Sequence, residues 1–332
     1  MDICIATDNN YISLVSVLIS SILNNKRNNT DVIIHLFEYN VDEEEQKELV
    51  SFCKRYDTEI LFYDIQQYID AVKNQVDNAW ANNNSYVAYA RLYMSDLLNE
   101  NIKKFIYLDC DTLVLDDLSS MMNIDMRDCV MAEVKDVLPY TFKKWMGFED
   151  GNYFNSGVSV INADLWRKGN YTTKFFAYCN NNQDDLFPDQ DAINILLKNK
   201  IYALPPKYCV FFPEFEWSSN IMLKGYLGPE STYYSSEELQ EAANNPSIIH
   251  FTDSVIGRPW QNNHINKHAL LWNQYYNMLP DSLHFTFSKK SIGWKTKIYR
   301  LLYKVLSGAA FSRIYYTRRN YDLDERMREH NR

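Results

Sequence analysis

The chain has 332 residues, of which 46% are hydrophobic, 15% aromatic and 23% charged. This composition excludes a disordered chain and a low-complexity fibre, and the length allows a large buried core without disulfide bonds. The formal net charge is −9, yet residues 289–332 carry twelve Lys and Arg against four Asp and Glu. The acidic body argues against a nucleic-acid-binding protein, whereas the basic segment would be attracted to an anionic surface.

Glycine and cysteine spacing excludes several kinds of site. The nine glycines include no G-x-G triplet, which excludes the glycine-rich dinucleotide fingerprint and argues against a P-loop. The six cysteines show no C-x-x-C spacing, so we expect reduced thiols rather than a zinc or disulfide framework. The first residues lack a signal-peptide pattern, and no apolar run reaches about 18 residues. We therefore expect a cytoplasmic protein without a membrane-spanning helix.

Short apolar runs and amphipathic segments alternate in the N-terminal part of the chain. The runs predict strands over 2–6, 32–37 and 59–63, and helical spacing predicts helices over 11–24 and 42–56. This alternation predicts right-handed βαβ units and an α/β fold with a mostly parallel sheet flanked by helices.

The remaining elements are less regular. We expect helical sequence around 86–99, strands at 105–108, 129–133, 157–162 and 247–251, and helices from about 189, over 267–279 and over 291–306. Between residues 200 and 260 the sequence is rich in proline and aromatic residues, which favours loops around a site.

Two carboxylates, Asp109 and Asp111, follow the apolar run 105–108 directly. Ligands of open α/β sheets collect at the carboxyl ends of strands, and alternate residues of extended chain project to one side. The pair could therefore share a divalent cation that neutralises a diphosphate and acts as a Lewis acid. The alternative is that both side chains cap a loop and face solvent.

Six short motifs follow one another along residues 1 to about 278. They are Ile5–Tyr11, Tyr89–Leu92, Tyr107–Asp111, Tyr153–Val158, Pro188–Asp191, and His250-Phe251 followed by Pro259-Trp260. With these motifs in this order, the chain resembles glycosyltransferase family 8, and within it the bacterial lipopolysaccharide galactosyl- and glucosyltransferases. The resemblance implies a GT-A fold, with a Rossmann-like nucleotide-binding mixed sheet, over residues 1–280. It also implies manganese-dependent, retaining transfer of a hexose from a UDP-sugar.

The resemblance implies a uridine site on the first strand and the turn after it. Ala6, Asp8 and Asn10 would hold the nucleoside, with the ring of Tyr11 against the uracil. Turn and helix-cap chemistry is the ordinary explanation for Asp8 and Asn10, and both roles can hold together. Arg91 would reach the sugar diphosphate, although a helix-surface salt bridge is an ordinary alternative.

Four more positions are implied to contact the donor sugar. Asn155 and Ser156 lie in one motif, and Asp189 would bind sugar hydroxyls while Gln190 sits beneath the anomeric carbon. With Arg91, the last two are the expected catalytic residues. Without the resemblance, Asp189 would be an acidic residue at a helix N-terminus.

His250 corresponds to the third protein ligand of the metal in the family. Beside Asp109 and Asp111, a neutral imidazole suits manganese, and magnesium is the alternative ion. Without the family, a lone strand histidine would more often be a packed core residue.

One segment departs from the family pattern. Asp253 stands where the family usually has a glycine, and Arg258 replaces the family's lysine at the diphosphate. Gly257 would restore the turn, so Gly257 and Arg258 are the implied diphosphate contacts.

Retention can arise by front-side attack or by a double displacement. Because no carboxylate is placed as a nucleophile and Gln190 is a poor one, we favour the front-side route. Rival interpretations are a catalytically silent GT-A module that binds UDP-sugar or glycan, a non-catalytic membrane-surface adaptor, and a glycogenin-like enzyme that glucosylates itself.

Residues 281–332 are expected to form a basic helical tail. The helix predicted over 291–306 has an apolar stripe, made of Ile298, Leu301, Leu302, Val305 and Leu306. Its opposite face is basic and carries Lys297, Arg300 and Lys304. This pattern is typical of a helix lying on an anionic membrane, here the cytoplasmic face, and the alternative is packing on the acidic body. The family's acceptors are lipid-linked glycans, such as lipopolysaccharide, and its donors include UDP-galactose and UDP-glucose.

Overall fold

The computed structural model describes residues 1–76, 86–182, 187–212, 226–252, 255–287 and 291–330. Backbone contacts divide the chain into two compact units. The first comprises Met1–Val134, Phe154–Leu204 and Tyr275–His284, and the second comprises Lys135–Tyr153, Pro205–Gln274 and Phe285–Arg332. The boundary that we expect at residue 280, between catalytic domain and tail, stays a prediction.

Seven of the described strands form one mixed sheet in the order β3-β2-β1-β4-β7-β6-β8. The described strands are β1 Asp2–Asp8, β2 Ile33–Tyr39, β3 Glu59–Asp64, β4 Lys104–Leu108, β5 Thr112–Val114, β6 Met131–Lys135, β7 Phe154–Asn162, β8 Ile201–Ala203, β9 Val210–Phe211 and β10 Ile248–His250. Strand β1 pairs in parallel with β2 and β4, whereas β4 pairs with β7 in the antiparallel sense. The expected α/β fold with a mixed sheet is confirmed.

Helices follow most of the strands. The α-helices are α1 Ile12–Asn25, α2 Glu43–Lys54, α3 Gln66–Gln75, α4 Met94–Leu97, α5 Ser119–Met122, α6 Tyr140–Trp145, α7 Ala163–Lys168, α8 Tyr171–Asn181, α9 Pro188–Leu196, α10 Ser236–Asn244, α11 Ala269–Tyr276, α12 Trp294–Val305 and α13 Gly308–His330. The helical sequence expected around 86–99 is a 3₁₀ segment, Tyr86–Leu92, followed by α4.

Strand register brings three chain segments to one edge of the sheet. Ile5 of β1 is paired with Leu108 of β4, so the turn after β1 and the segment after β4 leave the sheet side by side. Leu108 is also paired with Val158 of β7, and because β7 is antiparallel, its first residues lie at this same edge. The backbone N–H of Asp109 donates to the carbonyl of Gly157 at 2.8 Å. The three predicted donor motifs therefore share one edge.

Within the second unit, β9 and β10 pair in parallel, with His250 opposite Phe211. Helices α12 and α13 pack through aromatic rings, and the centroids of Tyr303 and Phe311 are 5.5 Å apart. Helix α13 spans 23 residues of the segment 281–332, which is expected to be helical.

One residue that was expected on the exposed basic face of α12, Arg300, is buried. Arg300 is only 7% exposed, and its guanidinium donates to the carbonyls of Val255 and Asn263. The sequence suggests an exposed cation because it does not show these two carbonyls. The apolar stripe does face outward, with Leu301 61% and Val305 67% exposed. Among the described helices, none is long and apolar enough to cross a bilayer.

Candidate active site

Arg91, at the end of the 3₁₀ segment, is the centre of a buried polar cluster. It is 5% exposed, and its Nη1 donates to the carbonyl of Ser156 at 2.6 Å. Its Nη2 donates to Oδ1 of Asp109 at 2.9 Å, and its Nε lies 3.2 Å from Oδ2 of Asp189. Nε also donates to the carbonyl of Ala88. One guanidinium thus joins residues from four separate parts of the sequence, which a single planar fork of donors is suited to do.

The electrostatics of the cluster favour a charged Arg91. Burial alone would lower the pKa of Arg91, but Asp109 and Asp189 outweigh it and raise that pKa above its ordinary value. For Asp189, burial has the larger effect and raises the pKa, although Arg91 opposes it. The guanidinium also lies over the ring of Tyr107, 4.6 Å from the centroid, and the hydroxyl of Tyr107 donates to Oδ1 of Asp109 at 2.6 Å.

Gln190 is held in one orientation by β7. Its Oε1 accepts hydrogen bonds from Nδ2 of Asn155 and from the backbone N–H of Ser156, both at 3.2 Å. Asn155 in turn accepts from the N–H of Gly157 through Oδ1. Gln190, Asn155 and Ser156 are all expected beside the donor sugar, and the structure joins them in one buried network that reaches Arg91 through the carbonyl of Ser156.

Two residues that sequence reasoning left without a site role fix helix α9. Asn194 donates from Nδ2 to the carbonyls of Phe154 and Gln190, and its Oδ1 accepts from the N–H of Phe154. Asp191 accepts from the N–H of Phe187 through Oδ2 at 2.9 Å. Asn194 therefore ties α9 to β7, and the carboxylate of Asp191 stabilises the start of its own helix.

Glu133 on β6 is a buried carboxyl group that sequence reasoning missed. It is 0% exposed, and the hydroxyl of Ser159 lies 2.6 Å from its Oε1. Burial raises its pKa to about 8; the hydrogen bond with Ser159 and the charge of Arg91 oppose that effect, while the negative charges of Asp189 and Asp109 add to it. The available signal was a single acid within the apolar run Val130–Val134.

The turn after β1 has the geometry of an Asx turn. Oδ1 of Asp8 accepts from the N–H of Asn10 at 2.9 Å, and the N–H of Tyr11 donates to the carbonyl of Asp8. Helix α1 begins at Ile12, so Tyr11 occupies the N-cap position and the carboxylate of Asp8 shapes the turn instead. Ala6 is buried on β1.

In the second unit, His250 is a buried residue at the end of β10. Its Nδ1 lies 3.7 Å from Sγ of Cys209.

Gly257 and Arg258 are also in the second unit. Gly257 has φ +75°, and a Cβ at this position would lie 2.8 Å from Nη2 of Arg300. Arg258 donates from Nε to the carbonyl of Phe251 at 3.0 Å and lies over the ring of Trp260. Gly257 thus makes the turn that the sequence suggests, while Asp253 lies outside the described residues.

The expected metal ligands are two carboxylates of the first unit, Asp109 and Asp111, and one imidazole of the second unit, His250. Two hard oxygen donors with one imidazole nitrogen suit manganese, and they leave coordination positions for a diphosphate. The donor chemistry of these residues therefore fits the expected cation.

The sequence is similar to those of known proteins. A family model described as Glycosyl transferase family 8 matches residues 2–264. General stress protein A of Bacillus subtilis is 29% identical over 269 residues, which are 79% of this chain and 88% of that protein. Lipopolysaccharide 1,2-glucosyltransferase of Escherichia coli K12 is 28% identical over 270 residues, covering 78% of this chain and 72% of the relative.

Solved structures show the same fold. The galactosyltransferase LgtC, solved in complex with donor and acceptor sugar analogs, superposes with a TM-score of 0.67 at 20% identity, over 90% of this chain and 99% of that chain. GlyE of Streptococcus pneumoniae superposes with a TM-score of 0.60 at 17% identity, over 85% of this chain and 61% of that chain. Both have the GT-A fold, which confirms the architecture implied by the motifs. The family match, which covers most of the sequence, establishes that the chain belongs to glycosyltransferase family 8.

Proposed function

We propose that the protein transfers a hexose, galactose or glucose, from a UDP-sugar to a glycan acceptor with retention of anomeric configuration. Family membership supports glycosyl transfer. The observation that carries the proposal is the buried cluster in which Arg91 bonds Asp109 and Asp189 at the sheet edge that also carries the turn at Asp8. Such a cluster provides fixed charges where a sugar diphosphate would lie.

The residues of the first unit suggest a division of roles. The Asp8–Tyr11 turn would hold the uridine and Arg91 the diphosphate, while Asp189 binds sugar hydroxyls. A manganese or magnesium ion on Asp109, Asp111 and His250 would supply charge neutralisation of the leaving diphosphate.

Two contacts support the front-side route over a covalent intermediate. Oε1 of Gln190 already accepts two hydrogen bonds, and Oδ2 of Asp191 accepts from the backbone at the start of its own helix. Neither group is presented as a free nucleophile, so the leaving diphosphate would take the acceptor proton. A trapped glycosyl adduct on either residue would overturn this part of the proposal.

The test is manganese-dependent UDP release from a panel of UDP-sugars, with and without candidate lipid-glycan acceptors. We expect release with one donor sugar, and loss of at least about 100-fold in Asp109→Ala. Asp324→Ala is the matched control, because it removes the last acid of another Asp-x-Asp triplet, on α13. Donor binding without turnover would instead favour the silent module, and labelling of the protein itself would favour the self-glucosylating enzyme.

We further propose that the acceptor is lipid-linked, as in lipopolysaccharide or another surface polysaccharide, and that α12 binds the anionic cytoplasmic membrane face. The exposed apolar side chains at 294, 298, 301 and 305 support this, as does the positive charge of the tail.

Co-sedimentation with phosphatidylglycerol-containing and pure phosphatidylcholine vesicles tests the membrane proposal. We expect binding to the anionic vesicles alone, reduced several-fold in Leu301→Ser. Leu270→Ser is the control, because Leu270 is 74% exposed but lies on α11. Equal binding of the wild type and Leu301→Ser would contradict the proposal.

A further inference from the structure

Glu133 is a buried acid whose hydrogen bonds do not balance if it is ionised. Oε1 is 2.6 Å from the hydroxyl of Ser159, while Oε2 has no hydrogen-bond partner among the residues that the structure describes. A carboxylate with one oxygen unpaired in a fully buried position is strongly disfavoured, whereas a neutral acid leaves only a carbonyl oxygen unpaired.

The hydroxyl group of Ser159 lies close to two oxygen atoms. Its hydroxyl oxygen is 2.6 Å from Oε1 of Glu133 and 3.3 Å from the carbonyl of Ser156. One hydroxyl hydrogen can serve only one of these acceptors well. If Glu133 carries a proton on Oε1, it donates to Ser159, and the hydroxyl of Ser159 is free to donate to Ser156. The carbonyl of Ser156 is the one that also accepts from Nη1 of Arg91.

We propose that Glu133 is a positioning residue that, in its proton-bearing form, holds Ser159 and through it the Ser156 carbonyl on which Arg91 is anchored. Charge balance supports the neutral form, because Arg91 already faces the carboxylates of Asp109 and Asp189. A third negative charge would leave the cluster with one cation for three anions, at the point where an anionic donor would bind.

The groups that face Glu133 come from several elements. Arg91 belongs to the 3₁₀ segment, Asp109 follows β4 and Asp189 belongs to α9, while Ser159 of β7 makes the direct contact. The raised pKa of about 8 agrees with a protonated group at neutral pH. Loss of this proton above pH 8 would then weaken donor use, an effect that rests on the proposed function.

The first arm of the experiment is independent of activity. Thermal unfolding of the wild type and of Glu133→Gln is measured from pH 5 to 9.5. Because the folded protein keeps a proton that the unfolded chain releases near pH 4.5, wild-type stability falls relative to the variant as pH rises toward 8 and then stays constant. A stability difference that does not change with pH would overturn the proposal.

The second arm measures kcat/KM for the UDP-sugar over the same pH range. We expect the wild type to lose about tenfold per pH unit above pH 8, and Glu133→Gln to remain flat there and within about threefold of the wild type at pH 7. Ser159→Ala should lower kcat/KM at neutral pH, because the link to Ser156 is cut. Identical alkaline profiles for the wild type and Glu133→Gln would also overturn the proposal.

Glu38→Gln is the matched control, because Glu38 is another buried glutamate whose pKa burial raises, and its Oε2 accepts from the N–H of Val41 away from this cluster. It should keep the wild-type alkaline fall in kcat/KM. If the wild type uses no UDP-sugar at any pH, the proposed function fails, whereas the unfolding arm still decides whether Glu133 holds the proton.

Discussion

Arg91 in the first unit and Lys143 in the second unit are both buried basic side chains, and their partners differ. In the first unit, Arg91 contacts two carboxylates and a backbone carbonyl. In the second unit, Lys143 on α6 is 0% exposed, donates to the backbone carbonyl of Asp136 at 2.6 Å and lies 4.6 Å from the ring centroid of Tyr233. Arg91 is thus bonded to two carboxylates, whereas Lys143 is bonded to a backbone carbonyl and the charge of Asp136 offsets its burial only in part.

The difference shows in the two pKa values. The carboxylates raise the pKa of Arg91, while burial lowers the pKa of Lys143 to about 7. Burial by itself disfavours a charge, and anions near a buried cation offset the lost hydration. Arg91 therefore keeps its positive charge, whereas Lys143 titrates near neutral pH.

The largest effect is expected from Arg91→Met. Two carboxylates would lose their buried partner, which costs about 3–5 kcal/mol, and the proposed diphosphate contact would disappear. We expect kcat/KM for UDP-sugar hydrolysis to fall by about 10³-fold. Arg167→Met is the control, because Arg167 donates to the carbonyls of Ser95 and Ile102 and should affect stability without comparable loss of turnover. Retained activity in Arg91→Met would remove Arg91 from the site.

The second prediction concerns Lys143→Met and the pH dependence of stability. Between pH 7 and about 10.5 the unfolded wild-type chain binds a proton that the folded chain has released, so its stability rises with pH by up to about 1.4 kcal/mol per unit. We expect that rise to be lost in Lys143→Met, as measured by unfolding scans from pH 6 to 9.5. Parallel curves for the two proteins would show that Lys143 does not titrate in this range.

A smaller effect is expected from Tyr107→Phe. The change removes the hydroxyl that donates to Asp109 and keeps the ring beneath Arg91. A hydrogen bond to a charged group contributes about 1.5–3 kcal/mol, so we expect activity to fall about tenfold or more. Tyr63→Phe is the control, because that hydroxyl pairs with His35 on β2. Equal kinetics in the two variants would mean that the hydroxyl of Tyr107 has no role in placing Asp109.

The smallest effect is expected from Tyr233→Leu, and only in acid. The aromatic face contributes about 0.5–2 kcal/mol to a cation, so the variant should lose more stability at pH 6 than at pH 9. Tyr233→Phe keeps the ring and removes the hydroxyl that donates to the backbone carbonyl of Lys135. It should therefore lack this difference between pH 6 and pH 9 in unfolding scans. A loss in Tyr233→Leu that is equal at both pH values would show no cation–π contribution.

Strand ends could be predicted from the sequence, and buried partners could not. An apolar run that stops at Asp109 marks the end of a strand, and general rules for open α/β sheets then give the edge where ligands bind. The role of Glu133 depends on Ser159, 26 residues away on a different strand, and no local pattern connects the two.

The C-terminal helices show the same limit. Helical spacing correctly predicts the apolar stripe that contains Leu301, because the stripe is formed by residues of a single helix. Burial of Arg300 depends on the carbonyls of Val255 and Asn263, which are 45 and 37 residues away in the sequence. These contacts are long-range, so residue patterning places the cation on the wrong side of its helix.

Arg91 also has a consequence for how the protein folds. Its partners Asp109, Ser156 and Asp189 are 18, 65 and 98 positions away in the sequence. Contacts between such distant segments form only after long loops have closed, and such closure is slow. We therefore expect the cluster to assemble late in folding, so that a chain with native helices but unpaired central strands would have no donor site.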